Sequence, residues 1–406
     1  MSAEILTFGC RLNAYESEVM RGLTAARPDL LVVNTCAVTA EAERQARQAI
    51  RRAARARPGR PIVLTGCAVQ RDPAAWRALP GVTRVLGNTE KLRPEAWANE
   101  ADAVADIMTA PAAPPRPVTE FAGRARAFVQ VQQGCDHRCT FCAIPFGRGP
   151  NRSVPAEAVL AQARSLLDAG FRELVLTGVD IASYGADQPG GPRLGDLARH
   201  LLAALPDLPR LRFSSLDPAA IDPALWRLLA EEPRVMPHLH LSLQAGSDLI
   251  LKRMKRRHGA RDAAAVIARA RDLRPGIAIG ADLIAGFPTE TDALFAETRD
   301  FIAAAALPYL HVFPYSERPG TPAARMPAVP VATRRARAGA LRALAAAPAF
   351  FAAMAGQDIA VLAETAEAGH SEHFAPVRLT APATPGRVIA ARVTATDAAG
   401  VTAAPI

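Results

Sequence analysis

"GCDHRCTFC", residues Gly134 to Cys142, places three cysteines within eight positions, because Cys135, Cys139 and Cys142 follow a C-x3-C-x2-C spacing. Structural zinc wants four protein ligands, and disulfides consume cysteines in pairs. Thiolate sulfur suits zinc and iron–sulfur clusters alike. A [4Fe–4S] cube held by three thiolates leaves one iron without a protein ligand, and a small molecule can bind there. Zinc completed by a distant histidine, His137 or His238, is the other reading of the spacing taken alone.

Around this loop, six apolar runs are separated by helical patterns. They are Phe128 to Gln132, Glu173 to Thr177, Leu211 to Ser215, His238 to Leu243, Ile277 to Ile284 and Tyr309 to Phe313. The helical patterns include residues 155–169, 247–257 and 289–305. Six strand–helix units predict an α/β fold with a (β/α)6 sheet, either an open barrel or a doubly wound sheet. The chemistry of such sheets sits at the C-terminal strand ends. The cysteine loop, "LTGVD", "RFSSLDP", "LSLQAGS" and "ADLIAGFPTET" all fall there.

The first hundred or so residues repeat the alternation, predicting a second parallel α/β unit. Strands are expected at 5–8, 30–33 and 62–64, with helices at 14–26 and 39–57. Cys10 ends "LTFGC", Cys36 ends "LVVNTC" and Cys67 ends "IVLTGC". In a parallel sheet these three strand-end thiols share one edge and converge. The alternative, three unrelated small core cysteines, has to explain the same location three times. A Pro/Ala-rich stretch within residues 108–124 reads as a linker. After an Arg/Ala helix at 333–345, "IAVLAE", "FAPVRLT" and "RVIAARVTA" predict a small β domain. The expected division is residues 1–107, a linker at 108–120, a central domain at 121–350 and a β domain at 351–406.

Composition narrows the class. Half of the 406 residues are hydrophobic, which supports real cores. The sequence shows neither a signal-peptide pattern at its start nor a transmembrane-length apolar run, so a soluble, cytoplasmic protein without a membrane partner is expected. Six cysteines in that compartment point to metal or catalysis rather than disulfides. A net charge of +9 favours a polyanionic partner, unless it merely reflects an arginine-rich composition.

The cysteine loop, with Phe141 before its last cysteine, resembles that of the radical S-adenosylmethionine (SAM) enzymes. The likeness extends further. "TFGCRLNAYESE", "VNTCAVT" and "LTGCAVQ" resemble the N-terminal motifs of the methylthiotransferase family, while "GCDHRCTFCAIPFGRGPNRSVP", "LHLSLQAGSDLILKRMKRR" and "HVFPYSERPGTPAARM" resemble its radical domain. "RGPNRSVP" and "GHSEHFAPVRLT" are most similar to the branch that modifies threonylcarbamoyladenosine beside the tRNA anticodon. Sister branches act on isopentenyladenosine or on a ribosomal-protein aspartate. A non-enzymatic iron–sulfur RNA-binding regulator is the reading from another class.

The resemblance implies two [4Fe–4S] clusters, one on Cys10, Cys36 and Cys67 and one on Cys135, Cys139 and Cys142, together with SAM, tRNA and a flavodoxin- or ferredoxin-like electron donor. It implies that one SAM methylates a sulfur of the N-terminal cluster and a second yields the radical that takes hydrogen from adenine C2. Such chemistry needs positioning more than a side-chain acid or base, so no general base is nominated. Phe141, Gly178, Val179, Asp180, Ser215, Gln244 and Asp282 are the expected cofactor contacts. Arg148, Arg152, Lys252, Arg253, Lys255 and Arg256 are the expected substrate contacts. Arg44, Arg47, Arg51 and Arg55 form a basic helical stripe, which is either a phosphate grip or a solvated face. Residues 355–406 carry Arg378, Arg387 and Arg392 against Asp358, Glu364, Glu367, Glu372 and Asp397, a net charge of −2. That makes the β domain a poor phosphate clamp, whereas in tRNA-modifying relatives it commonly is basic. A monomer is expected.

Overall fold

The structure, a computed structural model, describes residues 2–111 and 115–406. Its N-terminal sheet has four parallel strands in the order β1 (Glu4–Thr7), β2 (Leu31–Thr35), β3 (Ile62–Gly66) and β4 (Val82–Val85). Every residue of β2 and β3 is buried, as expected for parallel strands covered on both faces. The last strand escapes the sequence reading because Thr83 and Arg84 interrupt its apolar pattern. Two long helices flank the sheet, α1 (Arg11–Leu23) and α2 (Ala40–Ala56). The start of α2 is set by Thr39, whose Oγ1 accepts the Ala42 N–H at 3.1 Å, with Glu41 and Glu43 in the first turn. α1 joins two cores. Its Leu12, Tyr15 and Val19 pack with Phe121 and Phe128 of the central domain, while Met20 packs with Val32 and Val63.

The central domain contains β5 (Ala127–Gln130), β6 (Gln132–Gln133), β7 (Arg152–Ser153), β8 (Glu173–Thr177), β9 (Arg210–Phe213), β10 (His238–Gln244), β11 (Ala278–Ala285) and β12 (Tyr309–Pro314). β5-β8-β9 and β10-β11-β12 are parallel triplets. Leu216 joins them, donating to the His240 carbonyl at 2.8 Å and accepting from Ser242 at 2.9 Å. The six strands therefore follow chain order. That makes an open barrel rather than a doubly wound sheet, which would reverse its strand order partway. The predicted 128–132 strand divides at Val131, and β6 turns aside to pair antiparallel with β7. This hairpin brackets the cysteine loop. The helix expected at 247–257 ends at Met254 because Lys255 adopts a left-handed conformation, φ 62°.

The C-terminal strands Asp358–Ala363, Ala368–Ser371, Pro376–Leu379, Val388–Asp397 and Gly400–Pro405 close into a barrel. The second and fifth are not apparent in the sequence, since one is short and the other is Ala-rich. Arginines of β9 dock this barrel on the central domain: Arg210 donates to the Ala360 carbonyl at 2.6 Å and Arg212 to the Ser371 carbonyl at 2.9 Å. Of the expected linker, residues 112–114 lie outside the described residues. Past them the chain is pinned rather than free. Val118 exchanges two 2.7 Å hydrogen bonds with the Gln162 side chain, and Tyr15 donates to the Arg116 carbonyl at 2.9 Å. No helix among the described residues is long and apolar enough to cross a membrane.

Candidate functional site

β1, β2 and β3 lie side by side, and their C-terminal ends bring Cys10, Cys36 and Cys67 to one edge. Gly9 holds φ 97°, and a Cβ there would stand 2.7 Å from both Cβ and Sγ of Cys36. Only glycine lets the Cys10 loop come this close. Cys36 and Cys67 are buried, while Cys10 is open to solvent. Burial above all, with Cys67 and Cys10 adding, pushes the Cys36 thiol up to about 12. Nitrogen donors surround these sulfurs. The Val38 N–H lies 3.4 Å from Cys36 Sγ, and Cys67 Sγ receives Arg148 Nε at 3.0 Å and Asn88 Nδ2 at 3.8 Å.

The position of Arg148 corrects the expectation that it meets substrate. It is 1% exposed, and its guanidinium is bound to Glu16, Asn13 and Cys67. Glu16 is shared with Lys91, whose Nζ is 2.6 Å away and which is itself buried. Burial raises the cost of each charge, yet Arg148 and Lys91 hold the Glu16 carboxyl below its ordinary range. The network spans the two α/β domains and ends on a cysteine sulfur.

In the 134–142 loop, Thr140 is the anchor. Its N–H donates to the Met254 carbonyl at 3.1 Å, its carbonyl accepts from Ala323 at 2.9 Å, and its hydroxyl donates to the Arg253 carbonyl at 2.7 Å. Gln132, fully buried on β6, ties the loop to the "GVD" turn. Its amide nitrogen donates to the Gly134 carbonyl and to Asn151, both at 2.6 Å, and its oxygen accepts the N–H groups of Val179 (3.0 Å) and Asp180 (2.9 Å). Gly178 has no room for a side chain, because a Cβ would lie 2.6 Å from the Gln132 carbonyl. Asp180 accepts from Ser183 and sits 2.9 Å from His137 Nε2. Burial, with Cys139 and Cys67 adding, pushes the Cys142 thiol up to about 11. A Cβ at Gly147, five residues past Cys142, would lie 3.2 Å from the Cβ of Cys67, so the segment after the second cysteine set packs on the first across the domain boundary.

Beside Cys142 lies a cavity of about 270 Å3, bounded by Val38 and Thr39, which follow Cys36, on one side, by Phe141 and Cys142 on another, and by Gln244, Asp282 and the end of β12 beneath. Gln244 stands at φ 71°, a strained setting for a non-glycine residue at a strand end. Asp282 receives the Ser215 hydroxyl at 3.1 Å and lies 3.0 Å from His240 and 3.5 Å from His311. Burial opposes its charge, but the two imidazoles hold its carboxyl far below the usual range. The histidines of this trio are invisible in the sequence as partners, since they meet Asp282 only through the β10-β11-β12 register. His238 packs against Tyr309 and Phe374 instead of joining any described group of metal-type ligands.

The remaining basic candidates divide. Arg152 is spent on the backbone carbonyls of Ala110, Ile107 and Arg148. Arg253 reaches the Thr289 carbonyl. Arg256 donates to Cys139 Sγ at 3.6 Å and to the Ser242 carbonyl at 2.9 Å, and pairs with Asp217. Like Arg148, it serves the cysteines rather than the surface. Lys252 and Lys255 are exposed. On α2, Arg44 pairs with Glu41 and Arg47 stacks on Trp76, while Arg51 and Arg55 complete an exposed groove.

Residues 129–302 match the radical SAM superfamily model and residues 2–87 match uncharacterized protein family UPF0004. The threonylcarbamoyladenosine tRNA methylthiotransferase MtaB of Rickettsia prowazekii is 47% identical over 93% of this chain and 91% of its own. The chain belongs to the MtaB family of radical SAM methylthiotransferases. The Bacillus subtilis MtaB is 37% identical over 79% of this chain and 74% of its own. A tRNA-2-methylthio-N(6)-dimethylallyladenosine synthase of Cereibacter sphaeroides is 34% identical over 96% and 95%. At the level of fold, the radical SAM methyltransferase TsrM of Kitasatospora setae aligns with a TM-score of 0.55 over 77% of this chain and 68% of that one, at 17% identity.

Membership of the radical SAM family implies a [4Fe–4S] cluster and SAM, for which Cys135, Cys139 and Cys142 are the candidate ligands. The donor set fits. Three crowded thiols, with burial disfavouring the thiolate at Cys135 and Cys142, are what a bound cation resolves, since metal binding displaces the proton. N–H···S contacts such as Arg256 to Cys139 are the interactions that tune such a cluster.

Proposed function

We propose that the chain places a methylthio group on C2 of N6-threonylcarbamoyladenosine at position 37 of tRNA. The observation that carries this reading is the cavity that Phe141 and Cys142 of one cysteine loop share with Val38 and Thr39, which follow Cys36 of the other set. A second cluster, on Cys10, Cys36 and Cys67, belongs to the proposal, and the same fit supports it: three strand-end thiols, a glycine that admits their approach, and N–H donors aimed at two of the sulfurs. When bound, the cluster with SAM supplies one-electron hydrogen abstraction and the second cluster supplies sulfur.

The chain's own residues hold and exclude. The six thiolates hold the two groups where the two α/β domains meet. Gln132 fixes the Gly178-Val179-Asp180 turn, which with Phe141, Ser215, Gln244 and Asp282 receives SAM. Asp282, ionised between two histidines and a serine hydroxyl, is suited to orient ribose hydroxyls or an ammonium. Val38, Phe141, Ile284, Phe313 and Tyr315 line the cavity and limit water, as radical chemistry requires. Lys252, Lys255 and the α2 stripe supply the exposed positive charge for RNA. We take the protein to be a cytoplasmic monomer served by a flavodoxin- or ferredoxin-like reductant.

The test is anaerobic reconstitution with SAM, reductant and tRNA from a strain lacking the gene, followed by mass analysis of nucleosides. Methylthio-threonylcarbamoyladenosine together with 5′-deoxyadenosine is expected. Methylthiolation confined to isopentenyladenosine or to a ribosomal-protein aspartate would reject the substrate, and RNA binding without 5′-deoxyadenosine would reject the enzyme.

A further inference from the structure

A second cavity, of about 500 Å3, opens where all three domains meet. Cys10, Arg11 and Thr7 come from the N-terminal domain, Arg124, Arg126 and Phe128 from the start of the central one, and Glu364, Thr365 and Phe374 from the C-terminal barrel. Arg126 is already matched, 3.2 Å from Glu173 and 2.6 Å from Glu364. Glu364, the sole carboxylate of the lining, is further engaged by His370 at 3.1 Å. Arg11 and Arg124 have no hydrogen-bonding or ion-pair partner for their guanidinium groups among the described residues. Arg124 lies 5.4 Å over the Phe128 ring. Arg11 is half-buried, whereas Arg124 is exposed. The two line one partly enclosed space with no carboxylate to match them, an arrangement suited to an anion.

We propose that Arg11 and Arg124 receive the carboxylate of the substrate's N6-threonyl group, and so select threonylcarbamoyladenosine over an adenosine with an uncharged N6 substituent. This rests on the substrate reading given above. C2 and the N6-bearing carbon flank the same ring nitrogen, so a base whose C2 faces the Cys10, Cys36 and Cys67 set carries its substituent beside that set, where this cavity, lined by Cys10, lies. Arg11 directly follows Cys10 in the chain, which fixes the carboxylate site relative to the sulfur. Thr7, whose hydroxyl donates to Ser17, keeps acceptor capacity, and Thr365, whose oxygen accepts the Glu367 and Ala368 N–H groups, keeps its proton to donate. An isopentenyl group in this cavity would leave the half-buried Arg11 desolvated and unpaired, which is rejection by the site's own polar group. A backbone phosphate is the other oxyanion source, but phosphates stay on the outside of the RNA while the base edge goes deepest.

The experiment compares anticodon stem–loops bearing the threonyl group as the free acid or as its methyl ester, using reconstituted holoenzyme. Wild type is expected to favour the acid in kcat/KM by about tenfold to a hundredfold. Arg124→Met and Arg11→Met are expected to bring the acid down toward the ester, chiefly through KM, with Arg11→Lys retaining part of the preference. Iron content and 5′-deoxyadenosine formation are read alongside, and Arg124 keeps the test valid if Arg11→Met disturbs the neighbouring cysteine. Equal rates for acid and ester in wild type would overturn the inference while leaving the substrate reading intact. An equal KM rise for both RNAs in the variants would assign the arginines to phosphate and also overturn it. Failure of wild type to modify either RNA would overturn the substrate reading, and the inference with it.

Discussion

Arg148 Nε stands 3.0 Å from Cys67 Sγ, and the same guanidinium grips Glu16. Residue 148 belongs to the radical domain and residues 16 and 67 to the other, so a buried charge pair sets how one cysteine set faces the second. Removing one member strands the rest in a dry interior. Glu16→Gln should therefore cost about 3–5 kcal/mol of stability in chemical unfolding of the apoprotein. A cost below about 1 kcal/mol would mean that water reaches the network.

Iron content separates the two cysteine sets. Cys139→Ala should lower reconstituted iron from about eight to about four per chain, with loss of half the absorbance near 400 nm. An unchanged iron count would sink the two-cluster arrangement.

Gln132 makes its contacts to both cofactor-facing turns from a fully buried position. In Gln132→Ala the Val179 and Asp180 N–H groups and the Gly134 carbonyl lose their partner, at about 1–3 kcal/mol per stranded group. Iron should stay bound while KM for SAM rises about tenfold or more. An unaltered KM would show that the turn holds itself.

Acid should loosen the dock of the C-terminal barrel. Burial would raise the Glu173 carboxyl, but Arg212, Arg126 and Arg210 outweigh it and hold it below its ordinary range. A depressed carboxyl contributes stability that is present above the unfolded-chain value of about 4.3 and is lost as pH falls through the native one. Unfolding free energy should thus drop below about pH 4 in wild type. Glu173→Gln should be less stable at neutral pH and flatter across that range. Parallel curves would place the acid-sensitive group elsewhere.

Exposed charge should show in salt dependence. Lys252→Gln with Lys255→Asn, the asparagine chosen to tolerate the left-handed backbone at 255, should make the log–log salt slope of tRNA affinity shallower by about two. An unchanged slope would remove this segment from the RNA footprint.

Much of the molecule is legible in the chain itself. The C-x3-C-x2-C loop, three strand-end cysteines at a repeating position and six strand–helix units announce both thiol sets and the barrel, because ligand spacing and hydrophobic period are local properties. The β4 strand and two strands of the C-terminal barrel do not show, since short strands interrupted by Thr-Arg or made of Gly and Ala carry no period. Charge is the clearest case of what only tertiary structure decides. Arg148, Arg152 and Arg256 read as substrate contacts, yet folding spends them on sulfurs, carboxylates and carbonyls, whereas Arg11 and Arg124, unremarked in the sequence, are left without partners among the described residues. A side chain's formal charge belongs to the sequence; its burial and its partner depend on which strands and domains meet, and that is fixed only through space.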